Sequence, residues 1–140
     1  MGYTHYWSHK EDFSPSEWQT IRLKAIALLR YTKAETRLEF DTRLAPCVDE
    51  HEIIFNGVDD DGHETFHVTR LRRSLMSHEQ ETNGARFGFC KTACKPYDEV
   101  VLAILMYMSD RFPRKFEISS DGDIGKTDGD KARALLEATR

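Results

Sequence analysis

The sequence predicts an α+β protein: a mainly antiparallel sheet of about five strands with two to three helices on one face. Three observations carry this. Short runs rich in aromatic and β-branched residues are interleaved with segments of helical periodicity. Their order, β-α-β-β-β-α-β-α, places several strand-like runs in succession, which favours hairpins over parallel crossovers. And 140 residues, 39% hydrophobic and 31% charged, suit one domain over residues 1–140. A chain of that length buries roughly two thirds of its unfolded surface without a disulfide or metal staple.

Tyr3 to Trp7 reads as the first strand, because aromatics and Thr favour a pleated surface. Ser14-Pro15-Ser16-Glu17 is a capping box with Pro at the first helical position, and Phe13 and Trp18 hold the staple positions around it. Trp18, Ile21, Ala25, Leu28 and Leu29 then recur at helical spacing. Beyond a loop with Pro46 and Cys47, Glu52 to Val58 reads as a strand. Asp59-Asp60-Asp61-Gly62 reads as a turn with Gly62 at positive φ, and His63 to Arg70 as the returning strand. Leu71 to Gly84 reads as irregular, and Arg86 to Thr92 as another strand. Pro96 opens a second helix, with Asp98 and Glu99 in its first turn. Its middle is apolar all round, which predicts the central buried helix. Lys115 to Ser119 is the last strand, and Asp128 caps a short final helix with Ala132, Leu135 and Leu136.

Charge and cysteine usage narrow the setting. A net charge of −4 gives no global attraction to nucleic acid or to an anionic membrane. The longest apolar run, Val100 to Met108, is nine residues, against about 20 for a membrane span. The start of the chain has no signal-peptide pattern. Cys47, Cys90 and Cys94 are odd in number and read as free thiols of a cytoplasmic protein.

Alternation sorts the strands into faces. Closing the Asp59–Gly62 turn pairs Phe55 with Phe66 and Ile53 with Val68, facing inward. Phe87, Phe89, Phe116 and Ile118 are assigned to the same core, with Trp18, Leu28, Val101, Ile104 and Leu105. The other face then receives Asn56, His63, Thr65, His67 and Thr69, with Ile54, and Arg86, Gly88, Cys90, Thr92, Glu117 and Ser119. This is either a solvated sheet face or a ligand surface.

Phe89-Cys90-Lys91-Thr92-Ala93-Cys94-Lys95-Pro96-Tyr97-Asp98 runs from a strand into a helix start, where free amides and lysines suit a phosphate or carboxylate. Ser119 to Thr127 ends in Gly125-Lys126-Thr127 like a phosphate-binding loop, but Ser120 replaces the first Gly and Asp121 and Asp123 would repel phosphate. His63-Glu64-Thr65 and His67-Val68-Thr69 repeat His-x-Thr, as in two-histidine phosphoesterases, yet both lie on one strand. Arg70, Arg72 and Arg73 lack any surrounding nucleic-acid signature. No metal-ligand pattern is complete, and no cofactor is expected.

Gly2-Tyr3-Thr4-His5-Tyr6-Trp7, Phe55-Asn56-Gly57-Val58, His63-Glu64-Thr65-Phe66, Phe89-Cys90-Lys91-Thr92-Ala93, Lys95-Pro96-Tyr97-Asp98 and Ser119-Ser120-Asp121-Gly122-Asp123 together resemble a family of small phage, prophage and bacterial proteins. The family has no established activity, so the resemblance implies a setting and not a chemistry. It implies an accessory protein of the host cytoplasm, acting on a host signal or a host protein.

The expectation is therefore a protein that binds a small anionic, nucleotide-like ligand or a host protein, with no membrane partner and no nucleic acid. The candidate ligand-binding residues are His5, Asn56, His63, Thr65, Lys91, Thr92, Lys95, Tyr97, Asp98, Ser119 and Asp121. The alternative is a small phosphoesterase or nucleotide-modifying enzyme. In it His5 or His63 is the base, Lys91 stabilises charge, and Asp121 or Asp98 orients the His.

Overall fold

A computed structural model describes residues 3–72, 81–82, 85–122 and 129–140. Strand β1 (Thr4–His9) leads to helix α1 (Pro15–Tyr31). Strands β2 (Cys47–Val48), β3 (Glu52–Phe55) and β4 (Phe66–Thr69) follow, with a single 3-10 turn at Asp59–Asp61 between β3 and β4. Then come β5 (Glu81–Thr82), β6 (Ala85–Lys91), α2 (Asp98–Arg111), β7 (Phe116–Ser120) and α3 (Asp130–Ala138). The α+β class stands. The strands, however, form two antiparallel sheets in place of one: four strands in the order β5-β6-β1-β7 and three in the order β2-β3-β4. The first has the strand order of a split β-α-β sheet, with the second inserted between α1 and β5.

Local chemistry explains the helix starts. Ser14 Oγ accepts from Glu17 N, and Glu17 Oε1 accepts from Ser14 N at 2.8 Å, closing the capping box. Such a cap contributes about 1 kcal/mol. Phe13 and Trp18, both buried, lie 6.0 Å apart between ring centres. In α2 every residue from Val100 to Met106 is buried, as its all-round apolar sequence requires.

The pairing of β3 with β4 keeps the predicted register, Ile53 with Val68 and Phe55 with Phe66, all four buried. The connection is longer than a tight turn. Asn56 clamps it: Oδ1 accepts from Gly57 N and His63 N, while Nδ2 donates to His63 O and Thr65 Oγ1. The positive φ falls on Asp59 (48°), not on Gly62 (−101°). Gly62 is small for another reason: a Cβ there would lie 2.8 Å from Asn56 Oδ1.

Strand β6 corrects the predicted faces. Phe87 and Phe89 are 45% and 55% exposed, while Arg86, Cys90 and Thr92 are buried. Strand β1 supplies the reason. It sends three large rings inward, His5, Trp7 and His9, all buried. Trp7 pairs with Gly88, and a Cβ on Gly88 would lie 2.5 Å from Trp7 Cε2. The volume beneath β6 is taken by its neighbour, so β6 points Gly88, Cys90 and Thr92 inward and its phenylalanines out. The polar face expected from alternation alone therefore does not exist as one surface. Ile118 is half-buried against the core, and Asp128 lies outside the described residues.

Candidate functional site

The antiparallel pairs His5–Cys90 and His5–Ser120 put the inward His5 ring between two strands. Helix α2 begins just beneath it. His5 Nε2 meets Asp98 Oδ1 at 2.6 Å, and His5 Nδ1 meets Ser120 Oγ. A carboxylate only accepts, so Nε2–H donates to Asp98, and in the neutral ring Nδ1 accepts from the Ser120 hydroxyl. Thr92 Oγ1 donates to the same Asp98 oxygen. The result is a chain Ser120–His5–Asp98 with Thr92 as a second clamp. His5 is fully buried, and the Asp98 side chain is 19% exposed. Asp98 Oδ2 accepts nothing from the described residues.

Thr92, Ala93, Cys94 and Lys95 make the turn into α2. Ala93 and Cys94 both have positive φ, 53° and 57°, and Lys95 N donates to Thr92 O at 3.0 Å. Positive φ at both central residues is the type I′ pattern, which normally selects Asn-Gly. Each non-glycine residue there costs roughly 1–2 kcal/mol. Thr92 N and Ala93 N both donate to Tyr3 O, at 3.0 and 3.1 Å, and hold the strained turn in place. It carries Cys94 and Lys95 to the rim of a cleft of about 470 Å³.

That cleft lies between the start of α2, the start of α3 and the segment after α1. Lys33, Lys95 and Lys131 line it with Asp98 and Glu99. Glu99 Oε1 accepts from Thr32 Oγ1 at 2.9 Å, so both carboxylates have internal partners. None of the three lysines ion-pairs with a described residue. Three ammonium groups beside two helix starts make a positive cleft with one carboxylate oxygen exposed in it.

No family model, no curated protein and no solved structure matches this chain.

The predicted site residues separate into four places. His5, Thr92 and Asp98 form the buried chain, and Lys95 joins Asp98 at the cleft. Lys91 and Ser119 lie on the outer face of the four-stranded sheet, away from the cleft, with Asp121 just beyond the end of β7. Asp121 accepts there from Thr4 N at 3.1 Å and Tyr6 Oη at 3.0 Å. Asn56, His63 and Thr65 belong to the β3–β4 connection. Tyr97 is buried and donates to Glu64 O at 2.6 Å. Cys90 Sγ reaches the same carbonyl at 3.5 Å, and burial pushes both the thiol and the phenol far up, which favours the neutral thiol over the thiolate at Cys90.

His67 bonds Glu52 at 2.9 Å and does not converge with His63, which is exposed in the connection. Arg70 donates to Phe13 O and Arg72 to Asp12. Lys126 and Arg73 lie outside the described residues. Cys47, Asp49 and Glu52 bring one ligand atom each within 4.8 Å of one another and could hold a cation. In the protein as it stands burial and the two carboxylates push the Cys47 thiol up, and it donates to Asp49 Oδ2 at 3.5 Å. No helix among the described residues is long and apolar enough to cross a membrane.

Sequence reasoning missed Ser120, Lys33 and Lys131. Ser120 was legible only through strand parity, since its pairing with His5 makes it the inward member of Ser119-Ser120. Lys33 and Lys131 carry no local signal, because packing of α1, α2 and α3 alone brings them together.

Proposed function

We propose that the protein binds a small anionic, nucleotide-like ligand in the cleft between the starts of α2 and α3. One observation supports this above the others: three lysines without ion-pair partners among the described residues surround Asp98, whose Oδ1 is tied to His5 and Thr92 while Oδ2 is open. Lysines recognise phosphate as point charges. An open carboxylate oxygen accepts from a hydroxyl or amine. A ligand offering both, phosphates and a sugar or base donor, answers the whole set. The family resemblance adds a setting, in which such binding withholds a host nucleotide from its receptor.

The test is calorimetric titration of ATP and GTP, with inorganic pyrophosphate as the probe for the anionic part alone. Charge-assisted contacts contribute roughly 1.5–3 kcal/mol each. Lys95→Ala and Lys131→Ala should each weaken nucleotide binding about tenfold or more, and Asp98→Asn should erase the preference for nucleotide over pyrophosphate. Lys91→Ala should change nothing, since Lys91 lies on the opposite face. Absence of binding by every probe, or loss of binding in Lys91→Ala alone, would sink the proposal.

An enzymatic reading is favoured by one specific feature, the Ser120–His5–Asp98 chain. In it Asp98 Oδ2 takes a proton from a hydroxyl in the cleft, with His5 as the positioning residue behind it. Mass analysis of the recovered ligand separates the two readings: intact nucleotide supports binding, and altered nucleotide that stays intact with Asp98→Asn supports turnover.

A further inference from the structure

We propose that the outer face of the four-stranded sheet binds single-stranded nucleic acid by stacking bases on Tyr6, Phe87 and Phe89. The two central strands, β1 and β6, supply all three rings. Tyr6 is the direct cross-strand partner of Phe89, and Phe87 follows two residues away on the same face. The Tyr6 and Phe87 rings are 6.1 Å apart at 25°, and those of Phe87 and Phe89 are 6.4 Å apart. Phe87 and Phe89 are about half exposed, in a molecule that buries most of its other aromatic rings.

The local sequence serves this presentation. Gly88 leaves Trp7 the inner volume, so the phenylalanines on either side of it are held outward. Phe-Gly-Phe on a central strand, with a further aromatic on the neighbouring central strand, is how four-stranded RNA-binding sheets present two or three base-stacking rings. Tyr6 is fixed in place by its hydroxyl, which donates to Asp121 Oδ1 at 3.0 Å.

The surroundings select the occupant. Among the residues whose side chains are described, this face also carries Thr4, Ser8, Lys91, Glu117 and Ser119, with the Asp121 carboxylate at its edge. Rings set among hydroxyls and charges suit bases and a sugar-phosphate backbone better than an apolar protein surface. Lys91, two residues beyond Phe89, has no ion-pair partner among the described residues and complements a phosphodiester. Glu117 is already paired with Lys10 at 2.5 Å. With so few free cations, binding rests on stacking and depends weakly on salt. The expectation against nucleic acid drawn from net charge concerns the electrostatic route, and stacking does not need it.

The test titrates the full chain into fluorescein-labelled single-stranded oligouridine and oligothymidine of about a dozen nucleotides, followed by anisotropy. Phe87→Ala and Phe89→Ala should each weaken binding roughly five- to hundredfold. Both variants should remain folded with a cooperative thermal transition, because both rings are about half exposed. The slope of log affinity against log salt should be about −1, that of one or two phosphate contacts. A duplex of the same length should not bind, and Lys95→Ala and Lys131→Ala should bind like the parent, which separates this face from the cleft. Equal binding by Phe87→Ala/Phe89→Ala, or no single-strand binding by the parent, overturns the proposal. So does a dimer in sedimentation that those two substitutions convert to monomer, since the rings would then cover each other.

Discussion

Lowering the pH from about 8 to about 5 should cost the fold about 2 kcal/mol through one side chain, His9. His9 is the last residue of β1 and is 3% exposed, packed on Phe13 and Phe116, with an Nε2 that has no hydrogen-bond partner. Burial is the main cause that lowers its pKa from 6.5 to about 4; Asp12 opposes this, and Arg72 and Arg86 add to it. Between those values the unfolded chain binds a proton that the folded protein refuses. Stability is therefore fully present above about pH 6.5 and lost as the pH falls toward 4. The full shift corresponds to about 3 kcal/mol, of which about two thirds is gone by pH 5. Asp12, Glu17 and Asp49 have pKa values lowered below the usual carboxylate range, so their losses come at lower pH. Urea unfolding at the two pH values, for the parent and for His9→Phe, measures the effect. His9→Phe should shrink the difference by about 2 kcal/mol whatever it does to absolute stability. A difference between the two pH values that is the same in the parent and in His9→Phe refutes the reasoning.

Two further outcomes follow from packing. Gly88→Ala should destabilise by about 2–3 kcal/mol in urea unfolding, because the new methyl meets Trp7, 4% exposed and enclosed by Phe66 and Phe116; stability within half a kcal/mol of the parent would contradict the close approach of β1 and β6. Alkylation followed by mass analysis should modify the exposed Cys94 rapidly in the native protein and Cys90 only after unfolding, with all three thiols modified in denatured, unreduced protein; a native Cys90 that reacts as fast as Cys94 would place it at the surface.

Local signals determined much of the fold by themselves. The capping box at Ser14, the apolar run of α2 and the parity of Ile53, Phe55, Phe66 and Val68 each depend on neighbours within a few residues or on a single hairpin. They are therefore legible from composition and period. Thr92, Lys95 and Asp98 were legible as candidates for the same reason, since chemically capable residues gather where a strand ends and a helix begins. What only the tertiary structure decided was which way β6 faces and which residues meet. Alternation says that Phe87, Phe89 and Cys90 differ in direction but not which direction is inward. That choice was made by Trp7 on the neighbouring strand, which fills the volume over Gly88. Likewise Ser120, Lys33 and Lys131 are ordinary residues in sequence. They join Asp98 only because β7 pairs with β1 and three helices pack together, and the chain distances involved erase any local trace of that meeting.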